Sequence, residues 1–346
     1  MAQIDVLFKA MVEQDASDLH LTSGEPPYFR VHGEILRSQH KILNHDEVKA
    51  LIFEILNERQ RTLFSKNWEL DFGYQVKGLG RFRCNIFVQR RGLGAVFRSV
   101  PDEVANLADL QLPMSLTELT EVHKGLVVVT GATGSGKSTT LAALIDHINN
   151  TKTKHILTIE DPIEFVHVSK KSLINQRELA SHTKSFPNAL AAALREDPDV
   201  ILIGEMRDLE TIQLALTAAE TGHLVFGTLH TNTAIRTIDR IIDVFPHEKQ
   251  EQIRSMLAES LKGVIAQSLL PKVGGGRIAA LEVLVNTNAI GNLIRESKTH
   301  QIVSAMQTGR AQGMFNMDFY VKQLLKKGLI DQQTAAPFLG PNGMAA

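Results

Sequence analysis

The sequence predicts an α/β protein with two domains, and three observations lead to that prediction. The chain has 346 residues, which is long enough for two hydrophobic cores. Its second half alternates short apolar runs, typical of buried strands, with segments of helical periodicity, which favours a mostly parallel sheet flanked by helices. Its first hundred residues contain several strand-like runs and only two helical ones, which indicates a smaller mixed α/β module.

Residues 1–100 are predicted to form this first domain, without a catalytic constellation of their own. Ile4, Leu7, Phe8 and Met11 fall on one face of a helix. A second helical pattern covers Asp46–Leu56. The strand-like runs are Ser17–Leu21, Tyr28–Val31, Glu69–Tyr74, Arg81–Val88 and Gly94–Val100.

A connection is predicted over 101–121, where periodicity is weak and Pro113 interrupts the chain. The second domain is then expected over 122–285, followed by a helical region over 286–346 in which Met314–Lys327 is the clearest helix. The predicted strands are Leu126–Val129, His155–Ile159, Val200–Ile203 and Leu224–Leu229, and the predicted helices are Thr139–Ile148, Ser185–Arg195 and Leu209–Ala219.

Composition and charge narrow the class of protein. The formal net charge is −1, so no broad attraction to nucleic acid or anionic lipid is expected. The single cysteine, Cys84, excludes an intrachain disulfide and a multi-cysteine zinc site. No apolar run reaches the roughly 18 residues of a membrane-spanning helix, and no signal peptide is recognisable at the amino terminus. A cytosolic protein is therefore expected.

The most informative segment joins the first predicted strand of the second domain to its first helix. Gly131, Gly136, Lys137 and Ser138 fit the pattern G-x-x-x-x-G-K-[ST] at every fixed position. Its glycines let backbone N–H groups surround a phosphate, the lysine reaches the β- and γ-phosphates, and the serine hydroxyl binds Mg²⁺. A glycine-rich turn without a ligand is the alternative, which the strand–loop–helix context disfavours. The residues predicted to bind nucleotide are Gly131, Thr133, Gly134, Ser135, Gly136, Lys137, Ser138 and Thr139.

Acidic residues follow two of the predicted strands. Glu205 comes directly after Val200–Gly204, where a nucleotide-hydrolysing sheet places a carboxylate for Mg²⁺. A core strand that ends in a solvated acid is the alternative. After the strand at 155–159, Glu164 is the favoured base to orient an attacking water and Glu160 the second choice, although a solvated acidic turn would look the same.

A histidine follows the fourth predicted strand of the second domain. His230 lies at the end of Leu224–Leu229, and open parallel sheets bind ligands just beyond the carboxyl ends of their strands. We therefore consider His230 as a residue that faces the phosphates. A purely structural histidine remains the alternative.

These segments together resemble the type IV pilus retraction ATPase (PilT) family of the type II/IV secretion ATPase superfamily. The resemblance covers nearly the whole chain and depends on the order of five motifs. They are SDLHLTSGEPP at 17–27, GATGSGKST at 131–139, TIEDPIE at 158–164, DVILIGEMRD at 199–208 and GTLHTN at 227–232.

The resemblance implies a PAS-like amino-terminal domain, a RecA-like ATPase domain and a homohexameric ring that hydrolyses ATP with Mg²⁺. It implies Glu164 and Glu205 as catalytic acids and His230 as a sensor of the γ-phosphate. Arginines of the amino-terminal domain reach the nucleotide in this family. Arg81 and Arg83 are the candidates here, because alternate residues of a strand point the same way, and Arg98 is a weaker one. An exposed strand face is the alternative for these arginines.

The family's activity is pilus retraction, which produces twitching motility, at the cytoplasmic face of the inner membrane. The implied partners are an inner-membrane pilus platform protein and a paralogous retraction ATPase, and nucleic acid is not expected. One departure from the family pattern bears on this activity. Gly291 stands in AIGNLIRE at 289–296, where the family's AIRNLIRE has arginine in a motif tied to retraction.

Three alternatives therefore remain. A pilus-extension or type II secretion motor usually has a four-cysteine zinc motif, which one cysteine cannot form. An accessory or regulatory paralogue with weak ATPase activity would be consistent with Gly291. A DNA-translocating ring shares the RecA-like core but should be more basic.

Overall fold

The computed structural model describes residues 2–100 and 104–339. It divides into two compact units: the first comprises Met1–Glu103 and Pro162–Val166, the second Val104–Asp161 and His167–Ala346. The first residues of the predicted connection, 101–103, and the end of the predicted helical region, 340–346, lie outside the described residues. Within the described part, no helix has both the length and the apolar character to cross a bilayer.

The first unit is built on one antiparallel sheet. Its strands are β1 Ala16–Thr22, β2 Tyr28–Val31, β3 Glu34–Arg37, β4 Glu69–Val76, β5 Gly80–Gln89 and β6 Gly92–Val100, and its helices are α1 Asp5–Glu13, α2 His45–Glu54 and α3 Glu58–Asn67. The strands lie in the order β3-β2-β1-β6-β5-β4, and every neighbouring pair is antiparallel.

The core of this unit lies between α1 and one face of the sheet. Phe8 of α1 stacks on Phe82 of β5 with ring centroids 4.3 Å apart and meets Phe97 of β6 edge-on at 5.1 Å. Along β5 buried residues alternate with half-buried ones, so Arg81 and Arg83 lie on the face away from the core. The predicted helices and strands of this unit are confirmed.

Two elements of the first unit are absent from the sequence prediction. All four residues of β3 are exposed, so its sequence has no alternation to reveal a strand. In α3 only Phe64 is buried, which removes the helical periodicity. The capping box of α3, in which Asn57 and Gln60 bond each other's backbone N–H, was the signal available in the sequence.

The second unit contains the remaining elements. Its strands are β7 Gly125–Thr130, β8 His155–Glu160, β9 Leu173–Glu178, β10 Val200–Ile203, β11 Leu224–Leu229, β12 Leu261–Pro271 and β13 Arg277–Val285. Its helices are α4 Glu118–Glu121, α5 Lys137–Thr151, α6 Phe186–Ala193, α7 Leu209–Glu220, α8 Ala234–Asp243, α9 His247–Ser260, α10 Asn288–Arg295, α11 Ile302–Thr308, α12 Met317–Lys326 and α13 Gln332–Ala335. Four 3₁₀ turns cover Met114–Thr117, Thr299–Gln301, Gly309–Gln312 and Ala336–Phe338.

The seven strands form one sheet in the order β13-β12-β7-β11-β10-β8-β9. All neighbouring pairs are parallel except β12 with β13. The predicted mostly parallel sheet with flanking helices is confirmed. The sequence prediction omits β9, β12 and β13.

The centre of the sheet explains why β7 reads as an unbroken apolar run. All six of its residues are buried, and they alternate between two cores on opposite faces of the sheet. Leu126 and Val128 belong to one core, and Val127 and Val129 belong to the other. A strand fixed on both faces provides a rigid base for the loop that follows it.

Residues 104–121, predicted as part of a connection, are counted with the second unit. Leu107, Leu112, Leu116 and Leu119 are buried in the core on the Val127 side of the sheet. This segment is therefore packed along most of its described length.

Candidate nucleotide-binding site

The glycine-rich loop leaves β7 and enters α5, as the motif requires. Its backbone takes positive φ at Gly131 (148°), Gly134 (78°) and Gly136 (87°), conformations that side chains rarely adopt. Glycine is also required for space, because a Cβ atom on Gly131 would overlap the backbone oxygen of Gln267 on β12. Strand β12 thus lies directly against the loop.

Lys137 is buried and folded over this loop. Its ammonium donates to the carbonyl oxygens of Gly131 (2.8 Å) and Ala132 (3.0 Å). Ser138 and Thr139 follow in the first turn of α5, where the helix N-terminus favours negative charge. Thr133 and Gly134 are exposed at the tip of the loop. Backbone amides, a cation and a helix N-terminus therefore meet in the arrangement that binds a phosphate chain.

The ends of β10 and β11 bring Glu205 and His230 together. His230 Nε2 lies 3.0 Å from Glu205 Oε1, and the Arg207 Nε contacts the same oxygen at 2.5 Å. The strands are parallel neighbours, so residues distant in sequence meet at one edge of the sheet. The predicted side chains Glu205 and His230 are thus adjacent in the structure.

The charges around Glu205 keep it ionised. Burial raises the pKa of this carboxyl group, whereas the hydrogen bond and charge of Arg207 lower it. The charges of His230 and Lys137 lower the pKa further, so that it lies below its ordinary value. Because the loop lysine contributes to this effect, the Glu205 carboxylate and the phosphate-binding loop belong to one electrostatic environment.

Gly204 occupies the position where an aspartate is commonest in such sheets. A Cβ atom at this position would lie 3.2 Å from both Glu160 Cα and the Ile159 backbone oxygen, so β8 would have to move by a few tenths of an ångström. The backbone oxygen of Gly204 also accepts a hydrogen bond from the Thr228 hydroxyl. The close approach of β8 and β10 accounts for glycine here and leaves the acidic role to Glu205.

Hydroxyl groups link Thr130, the last residue of β7 before the loop, to the segment that contains His230. The Thr130 hydroxyl lies 2.7 Å from that of Thr231 and also accepts the Thr231 N–H at 2.9 Å. The Thr231 hydroxyl in turn lies 2.6 Å from that of Thr237 on α8. Sequence analysis did not identify these contacts, because threonines at strand ends and in helices are common and carry no distinctive pattern.

Gln267 is the second feature that sequence analysis missed. It is buried on β12, donates to the Ser135 backbone oxygen at 2.8 Å and accepts from the Thr140 hydroxyl at 2.7 Å. A glutamine in the middle of the apolar run Val264–Leu270 was the only signal in the sequence.

The remaining predicted acids are placed differently. Glu160 ends β8 and accepts from the Thr158 hydroxyl (2.7 Å) and the Gln176 amide (3.1 Å). Glu164 is exposed and belongs to Pro162–Val166, which is counted with the first unit. Its part in the chemistry stays a prediction.

The candidate arginines share one face of the amino-terminal sheet. Arg83 lies opposite Arg98 in the register of β5 and β6, and Arg81 is two residues along β5. The Arg98 Nε donates to the buried Asp18 carboxylate at 2.8 Å. Their predicted contact with nucleotide also stays a prediction.

Fold and site together define a P-loop nucleotide-binding protein with a RecA-like sheet. Residues 2–310 match the family model described as "Type II/IV secretion system protein". The chain belongs to that family.

Its relatives include a pilus retraction ATPase and a twitching motility protein. The chain is 56% identical over 332 residues to the "Type IV pilus retractation ATPase PilT" of Pseudomonas aeruginosa, which covers 96% of each chain. It is 53% identical over 326 residues to the "Twitching motility protein" of Neisseria gonorrhoeae, covering 92% of this chain and 87% of that one. The fold is also that of the solved structure "Crystal Structure of the Pilus Retraction Motor PilT and Bound ADP", with a TM-score of 0.91, 50% identity and coverage of 97% and 96%. The resemblance drawn from the motifs is thus confirmed.

Proposed function

We propose that this protein is an ATP hydrolase that powers type IV pilus retraction and thereby twitching motility. The observation that supports this function best is the Glu205 carboxylate, held ionised by Arg207 and His230 in the electrostatic environment of Lys137. Similarity over almost the full length of a pilus retraction ATPase supports the substrate and the task.

The chemistry assigns a separate role to each group. Lys137 and the loop amides bind the β- and γ-phosphates. Glu164 orients the attacking water, and His230 responds to the γ-phosphate. Arg81 and Arg83 stabilise the charge that spreads over the transferred phosphoryl group, a task that suits the planar guanidinium.

The donor groups also suit Mg²⁺. A serine hydroxyl and an ionised carboxylate are the hard oxygen ligands that this ion prefers, and it needs few of them because phosphates and water complete its shell. Ser138 and Glu205 would hold the ion, which when bound neutralises charge on the phosphates.

The assembly and partners belong to the same proposal. The chain works as a homohexamer at the cytoplasmic face of the inner membrane, with a pilus platform protein and a paralogous retraction ATPase as partners. Support comes from the names and full-length similarity of the pilus relatives.

An accessory role with weak ATPase activity is the second candidate, and Gly291 favours it. This residue is buried in α10, and a Cβ atom there would lie 3.2 Å from the Ala258 backbone oxygen of α9. The glycine therefore allows α9 and α10 to pack closely. It also leaves this position without the positive charge of the arginine that the family pattern has there.

Steady-state ATPase activity of the wild type and Glu205→Ala, with light scattering on the same samples, tests the hydrolase. We expect hydrolysis by a hexamer, its loss in Glu205→Ala and its retention in the control Glu251→Ala, since Glu251 is exposed on α9. Wild-type hydrolysis no faster than that of Glu205→Ala would contradict the proposal.

Complementation of a strain without its retraction motor separates the two candidates. Restored twitching by the wild-type protein supports the motor. If only Gly291→Arg restores twitching, the wild-type protein is the accessory form.

A further inference from the structure

We propose that Gln267 is a positioning residue that sets the shape of the phosphate-binding loop and thereby the affinity for nucleotide. The inference rests on the ATP site of the proposed function and concerns a residue outside all of its motifs. Gln267 lies on β12, more than a hundred residues beyond the loop in sequence. Its side chain nevertheless connects the loop with the helix that follows it.

Two hydrogen bonds connect Gln267 with the loop and with α5. Gln267 Nε2 donates to the Ser135 backbone oxygen at 2.8 Å, and Gln267 Oε1 accepts from the Thr140 hydroxyl at 2.7 Å. Donor and acceptor ends of one amide are thus both used, and the residue is only 3% exposed. The Ser135 carbonyl fixes the orientation of this buried amide, because a rotated amide would place Oε1 against that carbonyl, acceptor against acceptor.

The hydrogen bond to Ser135 also orients the peptide plane between Ser135 and Gly136. In a trans peptide the C=O and the following N–H point in opposite directions. By holding the Ser135 carbonyl against β12, Gln267 turns the Gly136 N–H away from that strand. In this orientation the Ser135 carbonyl oxygen, which would repel a phosphate, points toward β12, and the Gly136 N–H, which attracts a phosphate, points away from it.

Two glycines of the loop lie close against the same strand. Ideal Cβ atoms on Gly131 and Gly136 would collide with the Gln267 backbone oxygen and with its Nε2, the latter at 2.8 Å. Two glycines of the loop therefore leave room for this one residue. The loop and β12 form a single packed unit, in which Gln267 supplies the specific contacts.

Equilibrium binding of a fluorescent ATP analogue to the full-length protein tests this inference. In Gln267→Met, which keeps the length of the side chain and removes both hydrogen bonds, we expect the dissociation constant to rise about tenfold. Thr140→Val removes only one of the bonds and should raise it about threefold. The double variant should resemble Gln267→Met, because both changes act on one linked set of contacts. Gln213→Met, at an exposed site on α7, is the control and should bind as the wild type does.

Gln267→Glu provides a readout that a general loss of packing would not produce. An ionised glutamate still accepts from Thr140 but offers no proton to the Ser135 oxygen. A protonated glutamate restores that donor, and burial raises the pKa of such a group. The affinity of Gln267→Glu relative to the wild type should therefore recover as the pH falls, whereas that of Gln267→Met should not.

Each outcome is decisive. Wild-type affinity in Gln267→Met would overturn the inference, as would a pH-independent defect in Gln267→Glu. If Gln267→Met does not fold, the inference is tested by the pH response of Gln267→Glu and by the affinity of Thr140→Val, and wild-type behaviour of both would overturn it. A wild-type protein that does not bind the analogue would instead contradict the proposed function.

Discussion

At the scale of single residues, Glu205 is the group on which the site converges. One of its oxygens contacts both Arg207 and His230, and the Lys137 charge also lowers its pKa. A carboxylate in such surroundings stays ionised under more acidic conditions than an isolated one. Its charge depends on neighbours that can be replaced without touching the carboxylate itself.

Replacing Arg207 by methionine should therefore move the acid limb of the ATPase profile to higher pH. Because Arg207 holds the Glu205 pKa low, its removal raises that pKa, and the ionised form is lost earlier as the pH falls. The pH dependence of kcat for the wild type and Arg207→Met measures the shift. Arg195→Met, at an exposed site after α6, is the control. Superimposable acid limbs would show that Arg207 does not tune this group.

At the scale of secondary-structure elements, the loop after β7 is shaped by its neighbours as well as by its own glycines. Gly131 and Gly134 both take positive φ, but only Gly131 faces another backbone atom where a Cβ would stand. The two positions therefore differ in whether a side chain would meet the neighbouring strand.

Gly131→Ala should reduce ATP affinity much more than Gly134→Ala. Both variants bear the cost of alanine at positive φ, which is roughly 1–2 kcal/mol for the left-handed conformation of Gly134. Only the first forces the loop away from β12, and we expect an additional loss of about tenfold or more in affinity. Equilibrium binding of the ATP analogue measures both. Equal affinities would mean that the approach of Gln267 to Gly131 is unimportant for binding.

Helix α8, which follows the segment that contains His230, is held at its start by Glu282 of β13. Glu282 Oε1 accepts the Ala234 N–H at 2.7 Å, and the side chain also accepts the N–H of Met317, the first residue of α12. One carboxylate thus serves the N-termini of two helices, where unpaired N–H groups would otherwise remain. Burial raises its pKa above the ordinary value.

Glu282→Ala should lower the free energy of unfolding by about 1–3 kcal/mol, because it leaves two helix N–H groups without this acceptor. A raised folded-state pKa also penalises the ionised form. The wild type should therefore lose stability as the pH rises from the ordinary carboxyl value to the raised one, and the variant should lack that slope. Urea unfolding at several pH values tests both points, with Glu251→Ala, at an exposed site on α9, as control. If the free energy of unfolding changed equally with pH in the wild type and in Glu282→Ala, groups other than Glu282 would be responsible for the pH dependence.

At the scale of the whole molecule, the features that could be predicted from the sequence are those that depend on a local pattern of residues. The loop at 131–138 has a fixed spacing, and β7, β10 and β11 are apolar runs whose ends place Glu205 and His230 at one edge. The contacts of Gln267 and the threonines could not be predicted, because they follow from the strand order β12-β7-β11-β10-β8, which is not the order along the chain. The relation of Glu164, Arg81 and Arg83 to the nucleotide remains a prediction for the same reason: no local pattern determines it.

The proposed ring makes a prediction of its own. Mixing wild-type protein with Lys137→Ala subunits, which lack the phosphate-binding ammonium, should lower ATPase activity more steeply than in proportion to the wild-type fraction. Subunits that work in turn are blocked by an inactive neighbour. Titration of one protein into the other, after conditions that exchange subunits, measures the curve, with Glu251→Ala as the control. A straight line would indicate independent subunits.

The burial of Cys84 has a practical consequence for labelling the protein. It is the sole cysteine of the sequence, and it lies on β5 in the core of the first unit with no exposed surface. Thiol reagents need an accessible thiolate, so the native protein should react slowly with maleimide dyes. A cysteine placed on the surface of each compact unit would then carry nearly all of the label. A label could thus be directed to a chosen position in a chain that keeps its native cysteine.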